Sequence, residues 1–174
     1  TKVNLENFIS NLIESNVNVE EIDLNKLILE FSEIHKKISG YEFKRSISAE
    51  RFHHYNELSD ILRNGRLSDG EKMTLSDYHN LFDQLEKHKH MINNKLSSYE
   101  CVISPSALGE ALEGLEYTGS PVLNTTWTLL GLPSITLPIF TSKNNLPLGC
   151  QFISKKADDN NLLSISKKIL LEFN

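Results

Sequence analysis

The chain is short of several things, and each shortage excludes a class of function. Among its 174 residues there are two cysteines, Cys101 and Cys150, too few for a disulfide framework or a four-thiolate zinc site. Basic charge is not in excess: 18 Lys and Arg stand against 23 Asp and Glu, a net charge of −5. No nucleic-acid contact is expected from such a balance, since non-specific binding needs clustered cations. Long apolar runs are missing too. The most apolar stretch, Leu129 to Phe140, is broken by Gly131, Pro133 and Pro138 and is far shorter than the ~20 residues of a membrane span. No basic start followed by an apolar run marks a secretory leader. With both thiols uncommitted, the expected location is cytoplasmic, with no membrane partner. There is no phosphate loop and no dinucleotide fingerprint, so no cofactor is expected. A G-x-S-x-G nucleophile elbow is also lacking.

What is present reads as one ordinary domain over residues 1–174, with 39% hydrophobic and 24% charged residues. The chain opens at Thr1 rather than Met, so a preceding segment is expected. Residues 1–97 read as mainly helical with one short strand, and residues 98–174 as strand-rich with a terminal helix. Leu5, Phe8, Ile9, Leu12 and Ile13 recur at helical spacing and predict a helix over 4–15. Val17, Val19 and Ile22 suggest the short strand. Leu27, Ile28, Phe31, Ile34, His35 and Ile38 form a second helical stripe, with Asp23 or Asn25 as N-cap and Gly40 as terminator. Phe52, Tyr55, Leu58, Ile61 and Leu62 suggest a third helix ending near Gly65, and Tyr78 to Leu96 a long fourth one from about Leu75 to Ser97.

From Ser98 to Phe140 there is no Lys or Arg at all, which marks an interior stretch. Cys101-Val102-Ile103, stopped by Ser104-Pro105, suits a buried strand. Ile135, Leu137 and Ile139 alternate with Ser134, Thr136 and Pro138. Leu148 to Ile153 follows a polar turn, and the two runs are expected to pair as neighbours. Leu162 to Phe173 closes the chain as a helix capped by Asp158 or Asp159. Helices alternating with short buried strands predict an α/β fold, a mixed sheet with helices packed on its faces.

Self-contained chemistry is thin. His79, Asp83, Glu86 and His90 would share one face of the fourth helix, yet the first and last lie ~16 Å apart along its axis, too far to wrap one ion. They read as a solvated face, and no metal site is expected. His53-His54 diverge by ~100° on a helix. His35, on an apolar stripe, reads as a half-buried histidine rather than a base. Cys101 and Cys150 sit in apolar runs, where a thiol is inert. No residue of the chain is assigned a catalytic role.

The most specific stretch is residues 117–153. Tyr117-Thr-Gly-Ser-Pro-Val-Leu-Asn-Thr-Thr-Trp-Thr-Leu-Leu runs into Gly131-Leu132-Pro133, then a strand ending in Pro138, then Leu146-Pro147-Leu148-Gly149-Cys150-Gln151. This order resembles the C-terminal part of the amidase signature family, and the closing helix and the Cys101–Ser106 strand fit the same pattern. The resemblance implies one part of a larger α/β fold that hydrolyses carboxamide C–N bonds. It also implies that the serine nucleophile, a second serine in a cis peptide and a lysine belong to an N-terminal half with no counterpart here. The expected partners are then a small-molecule amide and that half, carried on the same protein or on a second chain, with a homodimer also open. Where family members often read Gly-Asp-Pro, this chain reads Gly119-Ser120-Pro121, so a carboxylate that would hold a substrate ammonium is replaced by Ser120. Ser120, Asn124, Thr125 and Trp127 are the substrate-lining candidates. Asn124, Thr125 and Trp127 serve equally well as helix-cap and packing residues. A stand-alone, non-catalytic binding or assembly module derived from the family is the alternative.

Overall fold

The first apolar stripe forms α1 (Lys2–Glu14), burying Phe8 and Leu12. The computed structural model describes residues 2–173. The chain divides into two compact units, Thr1–Ile28 with Ile92–Asn174, and Leu29–Met91. The length suggested one domain with a change of character near residue 97, whereas this division falls within two long helices. Residues 17–24, expected to hold a short strand, are an irregular connection. No strand of the sheet pairs with them. Val19 instead packs against the core of its unit, and Glu20 accepts a hydrogen bond from the Tyr99 hydroxyl at 2.8 Å.

The second stripe forms α2 (Asn25–Ser46), entered where Asp23 Oδ1 accepts the Asn25 N–H at 2.9 Å. It runs through Gly40 rather than stopping there. That glycine answers a tertiary need: a Cβ on Gly70 would lie 2.3 Å from the Gly40 carbonyl carbon and 2.4 Å from its oxygen. Neither backbone can retreat, so both positions need a residue without a side chain. The third expected helix is broken into α3 (Ser48–His53), a 3-10 turn at Tyr55–Glu57, α4 (Asp60–Leu62), a π turn at Arg63–Leu67 and α5 (Ser68–Glu71). Gly65, at φ −101° and ψ −105°, leaves helical geometry inside that run. Within the run, Phe52 and Ile61 are 85% and 88% exposed. Then α6 (Leu75–Leu96) opens on a reciprocal cap, in which Asp77 Oδ2 accepts the Thr74 N–H and Thr74 Oγ1 accepts the Asp77 N–H. Phe31, Ile34, Ile38, Tyr41, Leu67 and Leu85 are the buried apolar residues of the Leu29–Met91 unit.

The other unit adds β1 (Val102–Pro105), α7 (Val122–Leu130), β2 (Ser134–Thr141), β3 (Pro147–Ile153) and α8 (Asp159–Phe173) to α1. The strands form one sheet in the order β1-β3-β2, both pairs antiparallel. Pro138 was expected to end its strand. Instead β2 passes it through a register shift between Leu137 and Phe140 and pairs on to Thr141, because a bulge on an edge strand absorbs the missing N–H.

Strand alternation gives the sheet two unlike faces. Cys150 and Phe152 of β3, with Leu137 and the half-buried Ile103 and Ile135, meet Phe8 and Leu12 of α1 and Leu162 of α8 in one core. Phe8 makes edge contacts to Phe140, Phe152 and Phe173 at 5.8, 6.4 and 5.5 Å. The register row Ser104–Gln151–Thr136 lies on the opposite side, where α7 joins the sheet.

Candidate substrate-binding face

The polar face is assembled from three strand positions and the start of α7. Gln151 is 2% exposed, and its Nε2 donates to the Leu123 carbonyl at 3.2 Å and to Ser104 Oγ at 3.4 Å. A buried carboxamide that loses its partners costs about 1–3 kcal/mol, so these bonds fix α7 against the sheet. Asn124 makes a second tie: its Nδ2 donates to the Ser106 carbonyl, just beyond β1, at 3.0 Å. Gly149 permits the close approach, because a Cβ there would stand 2.2 Å from Ser106 Oγ and 2.5 Å from Thr136 Cγ2. The Ser106 N–H also bonds the Gly149 carbonyl at 3.1 Å.

Each motif residue quoted from the sequence has a local task. Gly131 takes φ +65° and ends α7. Its N–H bonds the Thr128 carbonyl, and the Leu132 N–H reaches back to the Trp127 carbonyl at 3.0 Å, a Schellman closure that only a left-handed residue completes cheaply. Pro133 then turns the chain into β2, and its carbonyl accepts the Ser154 N–H at 3.1 Å.

The four lining candidates separate by burial. Ser120 and Asn124 are half-buried, at and just inside the start of α7. Ser120 Oγ accepts the Val122 N–H at 3.4 Å, and the Asn124 amide is oriented by its bond to Ser106. Thr125 is 8% exposed, and its Oγ1 donates back to the Pro121 carbonyl at 2.9 Å within the helix. Trp127 is 3% exposed. Ser104, Ser106, Thr136 and Gln151 belong to this face as well, and no role was read for them from the sequence. The signal was there in the period-2 alternation of small polar residues opposite Ile103, Ile135 and Phe152.

The other candidates sit on other elements or are held inert. His79, Asp83, Glu86 and His90 are all exposed on α6, and Glu86 pairs with Lys89 at 2.8 Å. Among the described residues no group of three His, Cys, Asp or Glu is arranged to hold a metal ion. Burial pushes the Cys101 thiol up to about 11 and the Cys150 thiol to about 12, so both stay protonated near neutrality. His35 is half-buried on α2, and burial, with the Arg66 charge nearby, lowers its pKa. Among the described residues no serine or threonine hydroxyl is hydrogen-bonded to a lysine or histidine side chain, so the face presents hydroxyls and amides without an activated nucleophile.

The fold matches part of the fold of solved amidases. A crystal structure of an amidase superposes on 98% of this chain with a TM-score of 0.82 and 20% identity, the match covering 41% of that chain. A bacterial aryl acylamidase of the amidase signature family matches 86% of this chain at a TM-score of 0.62 and 14% identity, covering 35% of its own. In sequence the chain is similar to the A subunit of the human mitochondrial glutamyl-tRNA(Gln) amidotransferase, 27% identical over 124 residues, which is 63% of this chain and 23% of that protein. The chain spans about a quarter of the length of the curated relatives it matches. No family profile matches it. The likeness to the amidase signature family thus holds in sequence and in fold, and it fits the C-terminal portion of such an enzyme. Among the described residues no helix is long and apolar enough to cross a membrane.

Proposed function

We propose that this chain is the C-terminal portion of an amidase-type hydrolase acting on carboxamide C–N bonds, and that the polar face between β1, β3 and α7 forms one wall of its substrate pocket. The observation that carries the reading is the match of 98% of the chain to less than half of an amidase structure. The nucleophilic serine, the second serine and the lysine then lie in an N-terminal half, on the same polypeptide or on a second chain. Ser120 and Asn124 are the side chains that line the pocket. Asn124 Nδ2 is held by the Ser106 carbonyl, which leaves its Oδ1 to accept an amide N–H from the substrate. Thr125 and Trp127 act behind them, through helix bonding and packing. With Ser120 in place of a carboxylate, a neutral amide suits this wall better than an amino-acid amide. The two free thiols support a cytoplasmic setting.

The test is to assay this chain beside a polypeptide extended upstream of Thr1, both on simple aliphatic and aromatic amides. Hydrolysis by the longer protein alone is the expected result. Turnover by the 174-residue chain itself, or none by a folded longer protein with or without a co-purifying second chain, would overturn the reading. Asn124→Ala in the longer protein should raise KM more than it lowers kcat, because the wall binds and orients rather than reacts.

A further inference from the structure

The connection from β1 to α7, residues 106–121, contains neither helix nor strand. It nevertheless carries four large apolar side chains turned to solvent: Leu115 is 98% exposed, Leu108 67%, Tyr117 60% and Leu112 56%. Irregular runs of about 15 residues are uncommon within a compact unit and are often functional. Scattered exposed apolar residues need no explanation, but a group of them on one short segment marks a surface built to be covered. Beyond Ser106 the segment is tied at Glu110, which accepts a hydrogen bond from Asn144 Nδ2 in the β2–β3 turn. Glu113 and Glu116 take part in none of the ion pairs among the described residues. No Lys or Arg lies between Ser98 and Phe140 to meet them.

We propose that residues 108–117 dock this chain onto the remaining portion of an amidase-type fold, against an apolar surface there that is flanked by Lys or Arg. The inference rests on the proposed function and adds to it the surface and chemistry of the partner. More than half of the matched amidase lies outside the superposed region, so the occupant is large enough to cover the segment. Charge selects it over a second copy of this chain, because the copies share the net charge of −5 and their segments carry only acidic charge. Leu108, Leu112 and Leu115 are spaced i, i+4, i+7, so a helical turn would gather them on one side when the segment docks. Gly109 and Gly114, the latter at φ +94°, disfavour that turn without a partner.

The experiment uses this chain and the polypeptide encoded ahead of Thr1 as two separate pieces, mixed and followed by calorimetry and by hydrogen exchange over residues 107–117. Exchange in that segment is expected to slow on association, and Leu112→Ser with Leu115→Ser to weaken association by about ten-fold or more. Those substitutions should leave the melting of this chain alone unchanged, since the side chains are already exposed. Glu113→Lys with Glu116→Lys should weaken association most at low salt. Association with restored amidase activity, but an unprotected segment or leucine variants binding as wild type, would overturn the docking surface alone. Failure of this chain to associate with any polypeptide that carries the serines and lysine, upstream or separate, would overturn the proposed function together with it. Binding of the segment to phosphatidylglycerol vesicles in place of the upstream piece would also overturn it.

Discussion

The two units use glycine in different ways. In the sheet-bearing unit, Gly131 is required by its own backbone, at φ +65° with open space where a Cβ would stand. In the Leu29–Met91 unit, Gly40 and Gly70 are required by each other, 30 residues apart in sequence yet in backbone contact. A requirement of the first kind is written into neighbouring residues, as Gly-Leu-Pro. One of the second kind leaves no local trace.

Substitution should separate the two. Gly70→Ala puts a methyl group into the Gly40 backbone, which cannot move aside as a flexible side chain can. A loss of about 3 kcal/mol is expected, read as a large fall in the denaturant midpoint. A loss below about 1 kcal/mol would break the comparison, because the contact would then be loose. Gly131→Ala meets no atom within 4 Å and should cost about 1–2 kcal/mol, the strain of a left-handed residue alone. Asn at that position should recover part of the loss.

A smaller effect sharpens the contrast through pH. His35 lies in the helical unit, and burial and Arg66 lower its folded pKa below 6.5. The unfolded chain then binds more protons than the folded one near that pH. His35 therefore has no unfavourable effect above about pH 6.5, and stability falls as the pH drops from there through the folded value. His35→Gln should flatten this part of the stability–pH curve, measured by urea melts between pH 5 and 7.5. An unchanged slope in the variant would assign the dependence to other groups.

The same contrast explains how far the sequence could be read. The β2–β3 pair, the closing helix, α1 and the span of α6 were legible because period-2 or helical alternation coincided with glycine and proline punctuation. The motif around Gly131 and Gly149 was legible as a likeness, and the structure gives each glycine a physical reason. What was not legible depends on contacts between distant segments. Gly40 looked like a helix terminator because the pattern holds no sign of Gly70. The Phe52–Leu62 run looked like one helix because its spacing is helical, although short turns break it before Gly65. Val17 to Ile22 had strand-like residues but no strand to pair with. At the polar face, Asn124 could be singled out, whereas the tie from Gln151 to α7 needs the register of β3 to be known.

Pro105 has a consequence for self-association. The Ser106 N–H points inward to the Gly149 carbonyl of β3, so in the alternating pattern of a strand the Pro105 nitrogen faces outward, along the free edge of β1. A strand from another molecule aligned on that edge would find no donor at this rung. The sheet is therefore a poor template for open-ended growth on that side, and precipitation of this chain on storage should be traced first to its exposed leucines rather than to stacking of its strands.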